Sequence, residues 1–328
     1  STVDINNEIV SLQEKEKDEV RRVLLLLSSS FRRRASDLRR TLLTATEVDA
    51  IQARACFARA TASIEPEVAT DQTLDLQAAR HPLLIRAVTD RLHETASTDS
   101  PIEPVPINLT MNPPTRVIIV TGPNTGGKTV ALKTAGLLVV MAQSGLHIPT
   151  GPGSRVPVFR SVFADIGDEQ SIATNLSTFS GHIANIVEMN RQLTLPALIL
   201  IDEVGAGTDP IEGGVLGRAI VEHFRERGAH IIATTHDEAL KAYGATTEDV
   251  VCAAFGFDPE TFAPTYQLAY GSTGQSLALE IAERLGLDPS VIKAATELRS
   301  TRETQLADHL AQLEADRHEL NEWKDSLK

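Results

Sequence analysis

Apolar residues recur at helical spacing over the first sixty residues, concentrate in short β-branched runs through the middle, and return to helical spacing near the end. From about Ile5 to Arg40, Leu12, Val20, Leu24, Leu27, Phe31 and Leu38 stand three, four or seven apart, or at multiples of these. That pattern predicts one long helix with a buried stripe. Thr44-Ala45-Thr46-Glu47 fits a capping box, and Val48, Ile51, Ala55 and Ala58 then form a stripe on a second helix that Pro66 ends. No chemistry is visible in this stretch, so its expected role is support or lever.

From Thr73 to Thr110 the chain reads as irregular and interrupted by prolines. Three apolar runs follow that suit buried strands: Arg116 to Val120, Ala197 to Ile201, and Ala229 to His236. Thr129 to Ser144 is compatible with a helix packed through Leu132, Leu137, Val140 and Met141, with Gly145 as its stop. Val250 to Phe257 and Phe262 to Ala269 flank Asp258-Pro259-Glu260, which suggests an antiparallel hairpin. Residues 274–298 read as a helix, a Gly-Leu-Asp-Pro turn at Gly286 to Pro289, and a second helix. Leu306, Leu310, Leu313 and Leu320 lie near heptad spacing in a charged tail from Arg302 to Lys328.

Composition narrows the picture. A chain of 328 residues with 42% hydrophobic content can bury one sizeable core and carry a smaller appended region. Cys56 and Cys252 lie far apart, which argues against a disulfide or zinc scaffold. The apolar runs are too short to span a bilayer, and no charged-then-apolar signal segment opens the chain, so a cytoplasmic protein with no membrane partner is expected. The opening Ser1-Thr2-Val3 has no initiator Met and reads as the interior of something larger. Net charge is −13; residues 1–62 carry eleven Lys/Arg against nine Asp/Glu, which leaves −15 on the remainder. An acidic body repels phosphate backbones at long range. Arg32, Arg33, Arg34, Arg39 and Arg40 form the one cluster able to meet nucleic acid, and a solvated helix face paired with nearby acids is the more economical reading.

The chemistry centres on Gly122-Pro123-Asn124-Thr125-Gly126-Gly127-Lys128-Thr129, which matches the phosphate-binding P-loop at every fixed position. The strand before it and the helix after it supply the context that motif requires. Such a unit points backbone N–H groups and a helix N-terminus at one spot, which suits a polyphosphate. Lys128 would reach the β- and γ-phosphates, the Thr129 hydroxyl would ligate Mg²⁺, and Val130 would complete the nucleotide-binding stretch. The expected cofactors are therefore ATP and Mg²⁺.

Two further strands end in polar residues. Ala197 to Ile201 runs into Asp202 and Glu203: the first suits Mg²⁺, the second a general base for the attacking water, or else a loop or helix-capping acid. The strand Ala229 to Thr235 ends at His236, in the crevice where α/β folds bind ligands. An Asp-Glu pair favours ATPases of the ABC and recombination-repair branch, which place a γ-phosphate switch histidine there. A transporter-type signature with paired glycines is absent. In its place stands Asn175-Leu176-Ser177-Thr178-Phe179-Ser180-Gly181-His182, then a helical run to Arg191. In that architecture Ser177 and Thr178 face the γ-phosphate held by a second subunit.

Together, Thr121 to Asn124, Ser177-Thr178-Phe179, Asp202-Glu203, Thr234-Thr235-His236 and Arg80-His81-Pro82 resemble the ATPase domain of the MutS family. Gly205 to Pro210, Ser144 to Pro149 and Val3 to Glu8 are similar to the second bacterial MutS type rather than the mismatch-repair type. The resemblance implies an α/β, ABC-like P-loop ATPase at 71–272, helical lever segments at 1–70, a helical dimerisation element at 273–300 and the start of a helical linker at 301–328. It implies a homodimer hydrolysing ATP in composite sites, with Lys128, Ser177, Thr178, Glu203 and His236 as catalytic residues and Thr129 and Asp202 on the metal. Hydrolysis would switch engagement of branched DNA, in recombination control or repair, or of stalled ribosomes and their rRNA, through the full-length parent. Nuclease activity is not expected of these residues. A nucleotide-gated dimerisation module with little turnover, or a mismatch-repair-type ATPase, is the alternative.

Overall fold

The computed structural model describes residues 2–92, 103–123, 126–167, 178–258, 264–272, 282 and 286–298. The chain divides into two compact units, Ser1–Phe57 and Ala58–Lys328. Helix α1 spans Thr2–Arg33 and α2 spans Ala35–Ala60. The break therefore falls at Arg34 rather than near Arg40. Thr44 to Glu47 lie inside α2 and start no helix. The Thr41 and Thr46 hydroxyls donate to the carbonyls of Asp37 and Leu42 four residues back, so this stretch continues the helix instead of capping one. The expected buried stripes are also corrected. Leu12, Val20, Leu24, Leu27, Phe31, Leu38, Val48, Ile51 and Ala55 are exposed, and neither helix holds a buried residue. Periodicity marks an amphipathic face, but burial needs a second layer.

The core of the second unit is a six-stranded sheet in the order β10-β9-β4-β8-β7-β6. Its strands are β4 (Val117–Thr121), β6 (Ser161–Asp165), β7 (Ala197–Ile201), β8 (His230–Thr234), β9 (Val250–Phe257) and β10 (Pro264–Tyr270). All neighbours are parallel except the β9–β10 hairpin. Every residue of β4, β7 and β8 is buried, as strands covered on both faces require. On one face Ile119, Ile199, Ile201 and Ile231 join Val221, Phe224, Leu240 and Tyr243, which come from α6 (Pro210–Glu226) and α7 (Glu238–Thr246). Helix α4 (Lys128–Gln143) also packs on the sheet. Its buried residues include Ala131, Leu132, Ala135, Leu138 and Val139, whereas Leu137 is half-buried and Val140 exposed, against expectation. Each fully buried Leu, Ile or Val contributes about 1.5–3 kcal/mol. Helix α4 ends as expected at Gly145, whose N–H reaches the Ala142 carbonyl while that of Leu146 reaches Met141, a Schellman pair.

The stretch from Thr73 to Thr110, expected to be irregular, supplies β2 (Leu74–Ala79) and β3 (Ile107–Met111). With β1 (Glu67–Ala69) and β5 (Arg155–Pro157) they form a four-stranded sheet in the order β1-β5-β2-β3. Leu74, Leu76, Leu109 and Met111 are fully buried in strict alternation, a period-2 signal short enough for the nearby prolines to obscure. A short turn at Pro82–Leu84 and α3 (Arg86–Leu92) follow β2. Tyr270 of β10 joins the sheets: its hydroxyl accepts the Thr110 N–H at 2.7 Å. The remaining helices are α5 (Thr178–Gln192) and α8 (Pro289–Leu298), the latter after the expected turn at Gly286. Nearly all of the first helix expected over 274–298, and the heptad stripe beyond Arg302, lie outside the described residues. Cys56 is exposed and Cys252 buried. Among the described residues no helix is long and apolar enough to cross a membrane.

Candidate functional site

Strands β4, β7 and β8 lie side by side, so their carboxyl ends deliver the P-loop, Asp202-Glu203 and Thr235-His236 to one crevice. Gly127 caps α4 with φ +99°, a left-handed conformation that a side chain would strain. The Gly126 N–H reaches the Pro123 carbonyl at 3.0 Å, and the Lys128 ammonium donates to the Gly122 carbonyl at 2.7 Å, closing the loop on itself. Asn124, Thr125 and Ser177 lie outside the described residues, as does the side chain of Thr178, whose backbone opens α5. Val130 is exposed.

Oxygen-bearing side chains meet two strands over, beyond the end of β7. The Thr129 hydroxyl donates to Asp202 Oδ2 at 2.7 Å, and that of Thr234 donates to Oδ1 at 2.5 Å. The Thr234 oxygen also accepts the Glu203 N–H at 2.7 Å. Asp202 is buried, and its carboxylate is held from helix α4 and from strand β8. A carboxylate beside a hydroxyl is a hard, oxygen-only donor pair, which fits Mg²⁺ taking its remaining ligands from phosphates and water.

Lys128 is 1% exposed, and burial pushes its ammonium down to about 8, against the pull of Glu203 and Asp202. Its Nζ lies 2.8 Å from His236 Nε2, which is 3.3 Å from Glu203 Oε1. Burial, then the Lys128 charge, lowers the His236 pKa, so its imidazole is biased toward the neutral form. Glu203 sits at φ +52°, in the left-handed region that non-glycine residues rarely adopt.

Four groups at the site receive no chemical role from the sequence. Thr234 precedes the residues that mark the strand end, and its role appears only when β7 and β8 pair. Asp165 ends β6 as Asp202 ends β7, a strand-plus-acid signal the sequence does contain. His182 meets it from α5, at 2.7 Å. Tyr266 gives no sequence signal, because its position depends on a register shift between Pro264 and Leu268 and on φ +55°. Its ring lies against Gly127, where a Cβ would come within 3.2 Å of it. Beyond the P-loop a cavity of about 300 Å³ is lined by His81, Leu84, Val105, Val130, Phe255 and Tyr266. Burial, with Lys133 nearby, lowers the His81 pKa, and its buried Nδ1 has no partner among the described residues.

The family profile described as MutS domain V matches residues 118–303. The chain is 43% identical over 318 residues to Endonuclease MutS2 of Symbiobacterium thermophilum, covering 97% of the chain and 38% of that protein. Its likeness to Endonuclease MutS2 of Pelotomaculum thermopropionicum is also 43%, over 97% of the chain and 39% of the relative. For Endonuclease MutS2 of Bacillus mycoides the identity is 42%, over 95% and 38%. The chain thus spans about two fifths of the length of these relatives.

Proposed function

The chain belongs to the MutS family through its domain V, and from that premise we propose that it hydrolyses ATP with Mg²⁺ in sites shared between two copies of itself. The observation that carries the reading is the convergence of Lys128, Thr129, Asp202, Glu203 and His236 at one sheet edge. Thr129 and Asp202 would hold the metal, which offsets phosphate charge when bound. Lys128 exchanges its contacts with Gly122 and His236 for β- and γ-phosphate oxygens. Glu203 takes a proton from the attacking water as its oxygen bonds to the γ-phosphorus; the bond to the β–γ bridging oxygen breaks and ADP leaves. His236, placed between Lys128 and Glu203, orients both and reports on the γ-phosphate. The cavity beside Gly127 suits the base, with Tyr266 and Phe255 as aromatic walls.

In this reading Ser177 and Thr178 serve the partner's γ-phosphate, so the homodimer is the active species. Residues 71–272 form the ATPase domain in this reading, 1–70 the lever segments, 273–300 the dimerisation element and 301–328 the start of a linker. Turnover switches engagement of branched DNA or of stalled ribosomes in the longer protein. The relatives carry the name endonuclease, but no nuclease step is assigned to these residues. Steady-state phosphate release with Mg²⁺, with and without DNA, tests the reading. Turnover above background supports an enzyme, whereas tight ATP binding without release would leave a nucleotide-gated dimerisation module.

A further inference from the structure

We propose that Asp165, His182 and Asn185 form a positioning cluster that fixes helix α5 against the metal-side acid Asp202 and is needed for turnover. The inference rests on the ATPase reading above. Asp165 stands at the carboxyl end of β6 and is 4% exposed. A carboxylate so buried needs hydrogen-bond partners, and among the described residues α5 supplies two. His182 Nδ1 lies 2.7 Å from Oδ2, and Asn185 Nδ2 donates to Oδ1 at 2.9 Å. Three residues apart, His182 and Asn185 share a helix face, so the carboxylate sets both the rotation and the height of α5.

The same residue also reaches the metal side. The Asp165 backbone carbonyl accepts the Asp202 N–H at 2.8 Å. Phe179, His182 and Ile183 of α5 line one small pocket with Asp202 and Glu203. Asp165 therefore ties the residue that would hold the metal, Asp202, to the helix that opens with Thr178. Loss of the side-chain grip would leave the P-loop intact while shifting α5 relative to both acids. Displacements of about 1 Å in such positioning groups cost on the order of 100-fold in rate.

The test compares His182→Ala and His182→Gln with wild type in the full chain. For His182→Ala, kcat is expected to fall at least about tenfold while KM for ATP stays within about twofold. His182→Gln keeps an N–H donor on α5 and should recover to within about threefold of wild type. Hydrogen exchange supplies a readout independent of turnover: amides near Phe179 to Ile186 should exchange faster in His182→Ala, with those of β7 and β8 unchanged. Unchanged kcat and unchanged α5 exchange in His182→Ala, beside an active wild type, would overturn the cluster. So would a rise in KM matching the loss in kcat, which would mean general damage to the nucleotide site. Wild-type turnover separates the two claims, because a wild type that releases no phosphate fails the ATPase reading and leaves the exchange arm to judge the cluster.

Discussion

The Thr234 hydroxyl donates to the Asp202 carboxylate at 2.5 Å across two adjacent parallel strands, and its oxygen accepts the Glu203 N–H. One buried side chain thereby aims both acids of the site. Thr234→Val preserves shape and volume but leaves a buried carboxylate oxygen and a backbone N–H each short of a partner. The variant should lose about 2–4 kcal/mol of stability in urea melts. Its kcat should fall at least about tenfold, more than its affinity for ATP falls. Wild-type turnover in a folded Thr234→Val would show that Asp202 and Glu203 are aimed without it.

Acid stability should depend on a residue far from the chemistry. His230 is 2% exposed and stacks edge-on against Phe159. Burial, then the Arg116 charge, pushes its pKa from 6.5 down to about 4. A lowered folded pKa means the unfolded chain binds the proton first. The contribution is therefore whole above pH 6.5 and is lost as pH falls toward 4, up to roughly 3 kcal/mol. His230→Leu should flatten the stability–pH curve over that window. Parallel curves for the two proteins would remove His230 as the source.

Nucleic-acid binding by this chain should be weak and strongly salt-dependent. Residues 63–328 carry −15, which opposes phosphate contact beyond a Debye length of about 8 Å. If the five arginines from Arg32 to Arg40 each neutralise one phosphate, affinity should fall on the order of 10²–10³-fold between 50 and 200 mM salt. Fluorescence anisotropy with branched and linear DNA measures this directly. Tight binding that ignores salt would place the nucleic-acid surface elsewhere.

Legibility in the sequence followed how local each signal is. The P-loop, the strand ending in Asp202-Glu203 and the strand ending in His236 are contiguous, and continuous apolar runs mark strands buried on both faces. The Gly145 stop and the Gly286 turn were legible for the same reason. The β2 and β3 strands leave a weak signal because Leu74 and Leu76, and Ile107 to Met111, alternate over only a few residues between prolines. Tyr266 and the Asp165–His182 pair depend on a bulge and on a helix returning to a strand end, which no local window contains. The stripes of α1 and α2 show the opposite failure: a true amphipathic period, read as burial, on faces that are exposed.

The central claim is tested most directly by Glu203→Gln, with Lys128→Ala beside it. The amide keeps Asp202, Thr129 and the P-loop in place but cannot take the proton from water. Glu203→Gln should therefore bind ATP with Mg²⁺ as wild type does and accumulate as the ATP-bound dimer in light scattering. Its phosphate release should fall on the order of 10²–10⁴-fold. Lys128→Ala should lose turnover together with most nucleotide affinity, because the phosphates lose their direct cation. Release of phosphate by Glu203→Gln at the wild-type rate would contradict the assignment of this crevice as the hydrolytic site.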